Sequence, residues 1–226
     1  MIRNRGHSLV ELLVAVSALL LLVGALHSVA TSSERLVQDC APTHSERWQL
    51  HVSLSRMTDE IRESRQGLIR VFAGLLPDPE LADADAVLAF PSARDPRSGA
   101  FLLDGSEPDW KWLIVYAAFL HTSARRPALG RYSVAIPDGV LKRYLAGSGG
   151  LRARVEGGEI VLADGASEVR VPRSGEVEVV VEPLALFDVA RDKGNGLFRL
   201  SLAAHASGYQ GAPLRAAMTC GVRARN

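Results

Sequence analysis

The feature that most constrains this chain is an uncharged stretch near its start, LLVAVSALLLLVGAL at residues 12–26, entered directly after Glu11. Extended from Ser8 to Ala30 it covers about 23 residues, and about 20 helical residues cross a hydrocarbon core of about 30 Å. The run reads as one transmembrane helix rather than as a buried core helix. Arg3 and Arg5 precede it, so the positive-inside rule keeps the N-terminus cytoplasmic and places the rest of the chain beyond the bilayer. No good small-x-small cleavage site follows the run, as a secretory signal would need.

Beyond the run, residues 31–66 are polar yet helix-compatible. Leu36, Val37, Cys40, Leu50, Leu54, Met57 and Ile61 fall at steps of three and four, with Arg35, Glu46, Arg47, Arg56, Asp59, Glu60, Arg62 and Glu63 on the other face. The helix is expected to continue from Ser8 to Ser64, kinked at Pro42 and stopped by Gly67. After Gly67 the texture changes. Strands are expected near 86–90, 111–120, 130–136, 151–155, 159–162, 167–171, 176–181, 198–204 and 216–222. They are separated by turn signals such as Gly157-Gly158, Asp164-Gly165 and Asn195-Gly196. The expected class is α+β, a long N-terminal helix whose first part is transmembrane, packed against a C-terminal antiparallel β-sheet head. The expected divisions are residues 1–6, 7–30, 31–66 and 67–226.

Glu11 is the anomaly, because a carboxylate in hydrocarbon costs about 2.5 kcal/mol or more unless it is partnered. Alone it could snorkel to the membrane edge. If the leader MIRNRG is cut after Gly6, His7 becomes a free amine, and Glu11 the fifth residue of the mature chain. A neighbouring copy shifted by a few residues then offers that amine to this carboxylate. Glu11 becomes a device for setting register in a helical bundle.

At these residues, Gly6-His-Ser-Leu-Val-Glu11-Leu-Leu13 behind a short basic leader, the sequence resembles type IV pilins and the pseudopilins of type II secretion systems. The resemblance implies cleavage after Gly6 by a prepilin peptidase, with N-methylation of His7 as a further step. It also implies a pilin-like fold and an inner-membrane, single-pass subunit with its head in the periplasm. His7 departs from the family's usual Phe or Met. Trp112-Leu-Ile-Val-Tyr116 with Leu129-Gly-Arg-Tyr132, Ile160-Val-Leu-Ala-Asp-Gly165 with Val169-Arg-Val171, and Asp59-Glu-Ile-Arg62 resemble segments of J-type minor pseudopilins and W-type minor pilins. The function so implied is a minor subunit that primes or caps a short periplasmic filament for protein export. Its partners are other pilins or pseudopilins, the peptidase, the inner-membrane assembly platform and membrane lipid. A W-type minor pilin of a type IV pilus, serving adhesion, motility or DNA uptake, is the alternative. A tethered extracytoplasmic enzyme or binding protein is the rival of another class.

Little else carries chemistry. The net charge of +1 argues against direct nucleic-acid binding. No His pair has the spacing of a zinc hydrolase; His44 and His51, seven apart, read as surface residues. Gly147-Ser-Gly-Gly150 lacks the Gly-x-Ser-x-Gly spacing of a nucleophile elbow, so no enzyme is expected. Asp192 and Asn195, and the denser group Asp78, Glu80, Asp83 and Asp85, offer weak calcium candidates, read first as turn and solvated loop. No other cofactor is expected. Cys40 and Cys220 are either two buried thiols or, in an oxidising compartment, a disulfide fastening the last strand to the helix. Trp110, Trp112, Tyr116 and Phe119 read first as core, with partner docking as the alternative.

Overall fold

The computed structural model describes residues 9–73, 86–121, 126–136, 152–156, 159–163, 168–172, 177–192, 196–207 and 213–224. The first element is α1, Leu9–Glu63, whose helical backbone runs on through Pro42. A short 3-10 turn, Gln66–Leu68, ends it at the compositional break around Gly67. Then follow β1 (Arg70–Phe72), β2 (Val87–Ser92), β3 (Leu103–Asp104), β4 (Glu107–Pro108), β5 (Trp112–His121), β6 (Arg126–Ala135), β7 (Arg152–Glu156), β8 (Glu159–Ala163), β9 (Glu168–Pro172), β10 (Glu178–Val181), β11 (Leu184–Arg191), β12 (Leu197–Ser207) and β13 (Pro213–Arg223).

These strands make a mostly β protein, and the expected α+β class with a single antiparallel head is corrected accordingly. Among the described residues they form four separate sheets, ordered β1-β2-β5-β6-β10, β11-β12-β13, β7-β8-β9 and the pair β3-β4. The pilin-like arrangement of one transmembrane helix on one sheet is thereby corrected too. Among the described residues no helix is long and apolar enough to cross a membrane. The expected transmembrane helix, and with it the single-pass inner-membrane placement, is withdrawn on that finding.

The sheets separate because β5 is buried on both faces. Its run Trp112–Leu120 is almost continuously apolar, the signature of a strand covered from two sides. Ile114, Tyr116 and Ala118 face the core that includes Leu50, Leu54, Met57 and Ile61 of α1. Leu113, Val115 and Ala117 face the second core, with Ile160 and Leu162 of β8 and Val169 and Val171 of β9. The central layer is therefore the five-stranded sheet, with α1 on one side and the β7-β8-β9 sheet on the other. The outer face of β7-β8-β9 carries an exposed ion ladder in which Arg154 and Arg170 both reach Glu156 and Glu168. Trp110, Tyr116 and Phe119 are buried in the cores, and Trp112 is half-buried.

The β11-β12-β13 sheet also packs on α1. Leu200, Leu202, Ala204, Ala216 and Val222 join the same core as Leu54 and Met57. The helix thus lies in a saddle between two sheets rather than on one. At the tip of the β11-β12 hairpin, Gly196 has φ +65 and lies against the Gln66 side chain of the 3-10 turn. Only glycine adopts that backbone without cost, and a β-carbon there would collide with Gln66.

Gly196→Ala is expected to lower stability by about 2 kcal/mol, from the left-handed backbone plus the collision. Adding Gln66→Ala should recover the steric part and leave a residue of about 1 kcal/mol. Urea unfolding of the three variants checks this; equal stability of wild type and Gly196→Ala would refute it.

Candidate functional site

The end of α1 enters the head with a row of polar side chains at 49, 53, 56, 60 and 63, and these decide how the helix is seated. The Ser53 hydroxyl lies 3.0 Å from the carbonyl oxygen of Val180 on β10, and the Gln49 side-chain amide donates to the same carbonyl at 3.5 Å. Glu60 follows two turns later. Its carboxylate accepts from the Tyr116 hydroxyl at 2.8 Å and from Arg131 Nε at 3.0 Å, and lies 2.8 Å from Arg131 Nη2. Arg131 also donates to Ser133 Oγ at 2.8 Å and stands 3.5 Å from Glu178. Arg56 lies 3.5 Å from Glu60 and makes a short ion pair with Glu178.

Two carboxylates face two guanidiniums, so the cluster is neutral as a whole. Its centre is dry: the side chains of Glu60 and Arg131 are only 11% and 8% exposed. Removing charges from water costs several kcal/mol per ion unless lone pairs and protons are satisfied, and here Glu60 receives a phenol and a fork of guanidinium donors. Burial, reinforced by the Glu60 charge, pushes the Tyr116 phenol well above its ordinary value of 10. Arg131 pulls the other way and is overruled. For Arg56, desolvation is the largest single influence and lowers the guanidinium, but the hydrogen bond to Glu178 together with the charges of Glu178, Tyr116 and Glu60 raises it on balance.

One turn further, Glu63 holds Arg94 through two contacts of 2.5 and 3.2 Å, and Arg94 donates to the Gly99 carbonyl at 2.7 Å. This ties the loop after β2 to the helix. Between them opens a groove of ≈ 820 Å³, lined by Trp48, Val52, Arg56, Glu60, Glu63, Arg94 and Arg131 among others. The volume is that of a ligand site, yet its ionic groups are engaged with one another. His51 and Ser55 both line it, without a hydrogen bond joining them as nucleophile and base; His51 instead leans on the exposed Trp48 ring at 6.2 Å. Chemically the arrangement is a clamp on α1.

The residues expected to carry function fall out as follows. Gly6, His7 and Asn195 lie outside the described residues, as do the acidic group at 78–85 and the glycines at 147–150. Glu11 lies on the α1 backbone, with its side chain outside the description. Asp192 sits in the β11-β12 turn, where its carbonyl accepts from the Gly196 amide; among the described residues no group of three ligands could hold a metal. Cys220 is a free thiol, with its sulfur 3.3 Å from Thr58 Oγ1 on α1. Cys40 lies about 27 Å back along the helix from Thr58, at 1.5 Å per residue. The side chain of Cys40 lies outside the described residues. Sequence reasoning missed the Glu60 cluster as a unit. Glu60, Tyr116 and Arg131 nevertheless stand in three singled-out segments, Asp59-Glu-Ile-Arg62, Trp112–Tyr116 and Leu129–Tyr132, while Arg56 and Glu178 lie outside them.

Two outcomes follow from the clamp. Arg131→Met strands the buried Glu60 charge and should cost about 3–5 kcal/mol in urea unfolding, whereas Arg56→Ala, 39% exposed, should cost about 1 kcal/mol or less; comparable losses would contradict the ranking. Because the Tyr116 phenol is raised in the fold, its contribution is fully present below pH ~10, the unfolded value, and fades as pH rises beyond. Ultraviolet titration of wild type against Tyr116→Phe should therefore show no difference in phenolate up to that pH. A phenolate assignable to Tyr116 below it would refute the burial account.

Comparison of the chain with family models, with curated proteins and with solved structures gave no match.

Proposed function

We propose that this chain is a non-enzymatic filament subunit of the minor pseudopilin kind, which primes or caps a short filament of a type II secretion system. The observation that carries the reading is the contrast between the two halves of α1. Leu50, Leu54, Met57 and Ile61 are sunk in the head. Leu13, Val14, Val16, Leu19, Leu20, Leu21, Leu22, Val23, Leu26 and Val29 are all exposed. Five of these are consecutive, and successive helical residues turn by about 100°, so the segment is apolar on every side. A helix apolar all round needs cover all round. One partner face would leave half of it in water; a bundle of like helices covers it fully.

Each Leu or Val so covered contributes about 1.5–3 kcal/mol, which is ample drive for assembly. The motif Gly6-His-Ser-Leu-Val-Glu11 then supplies what apolar packing lacks, a register. The amine of His7, freed by cleavage after Gly6, meets the Glu11 carboxylate of a neighbouring subunit. The convergence of Glu60, Tyr116 and Arg131 from segments that resemble minor pseudopilins further supports the reading. Prepilin peptidase, related subunits and an assembly platform are the partners it calls for.

The test is the intact mass of the chain expressed with and without a prepilin peptidase. Loss of residues 1–6 only in the presence of the peptidase is the expected result, with one added methyl group if His7 is modified. A full-length mass under both conditions would overturn the proposal. Glu11→Leu should leave the cut intact and abolish cross-linking between neighbouring α1 segments; unchanged cross-linking would remove Glu11 from assembly.

A further inference from the structure

Among the described residues the longest strand edge left open in the head belongs to β13. It pairs with β12 from Pro213 to Arg223 without a bulge, and no other strand among the described residues meets its second edge. Natural edge strands are blunted by proline, bulges, inward charges or shortness. β13 is eleven residues long, with its one proline at the first position. Of its inward side chains, Ala216 and Val222 are buried and Met218 and Cys220 half-buried; none is charged. Every second residue therefore offers an outward N–H and C=O with no strand to receive them.

The side chains on its exposed face are as selective as the edge. They run Arg215, Ala217, Thr219, Gly221, Arg223. Opposite them on β12 stand His205 beside Arg215 and Arg199 beside Gly221. Thr219 donates to Ser201 at 3.3 Å across the middle. Among the described residues Arg199, Arg215 and Arg223 have no acidic partner, in contrast to the saturated ladder on β7-β8-β9. The exposed carboxylate on the same face is Asp188, which pairs with Ser201 from β11, the far strand of the sheet. In a chain of net charge +1, that is a local concentration of cations around a floor of small residues.

We propose that β13 is a strand-addition site for an extended acidic segment of a partner protein. The incoming strand pairs with the open edge through its backbone. Carboxylates at its two ends meet Arg215 and Arg223, about 27 Å apart at 3.4 Å per residue. Apolar side chains on its other face continue the surface of Met218 and Val222. Main-chain hydrogen bonds supply affinity and the end charges supply selection. The inference goes beyond the filament proposal and does not depend on it, since β13 lies in the head and the assembling segment at 13–29.

The experiment uses the full chain and a fluorescent nonapeptide, Glu-Val-Thr-Val-Thr-Val-Thr-Val-Glu, read by anisotropy. Saturable binding is expected, weakened about tenfold or more when the terminal glutamates become lysines or when the chain carries Arg215→Glu and Arg223→Glu. N-methylating the peptide's alternate amides along one edge should abolish binding, and along the other edge should not. No binding by the wild-type chain, equal binding of the acidic and lysine peptides, or binding that survives methylation of each edge in turn overturns the proposal. So does binding to phosphatidylserine vesicles that depends on Arg215 and Arg223 while the peptide stays free, because the basic face would then serve a lipid surface.

Discussion

The Glu60 carboxylate is the constraint on which the rest of the head depends. It is held at once by a phenol from β5 and a guanidinium from β6, the two long central strands. A carboxylate held from two strands has one position, and the helix that carries it has one rotation about its axis. With that rotation fixed, Leu50, Leu54, Met57 and Ile61 point into the core. Ser53 reaches the β10 carbonyl and Glu63 reaches Arg94. An apolar stripe alone would tolerate the helix sliding by a turn, because one leucine replaces another at little cost. The polar row does not tolerate it, since a slipped register would strand Arg131 in a dry site.

That fixed seat gives the two halves of α1 different lives. The C-terminal half is structural, sunk in the saddle between the five-stranded sheet and β11-β12-β13. Among the described residues nothing covers the apolar side chains of the N-terminal half. The head therefore holds one end of a helix whose other end leaves its apolar side chains exposed. Thr58 and Cys220 complete the seat on the β13 side, opposite the Glu60 contacts. The open edge of β13 remains available because the helix packs over the face of that strand.

Much of this was legible residue by residue. The three-and-four spacing of Leu50, Leu54, Met57 and Ile61 identified the buried face of the helix, and turn signals bracketed most of the strands. What failed was grouping. Period-two alternation tells which side chains share a face, but not which strand lies alongside, so one expected sheet became four. β11 escaped notice because no Gly or Asn turn separates it from β10, and a bulge between Leu184 and Leu186 blurs its alternation. The apolar run at 12–26 reads as a membrane span from its length, its lack of charge and the arginines before it. The described helix supports an exposed apolar surface there and not a crossing. The Glu60 cluster was the least legible feature, since its members lie 56 and 71 residues apart and each alone reads as an ordinary surface charge or core aromatic. Only the three-dimensional meeting of α1, β5 and β6 makes them one site.

The most direct measurement is a double-mutant cycle between Glu60→Gln and Arg131→Met, followed by urea unfolding of the full chain. If the pair fixes the seat of α1, the two changes are strongly coupled: the double variant should be more stable than the sum of the single losses predicts, by about 2 kcal/mol or more. Additive losses, within about 0.5 kcal/mol, would show that the helix is held by its apolar stripe alone and would contradict the account.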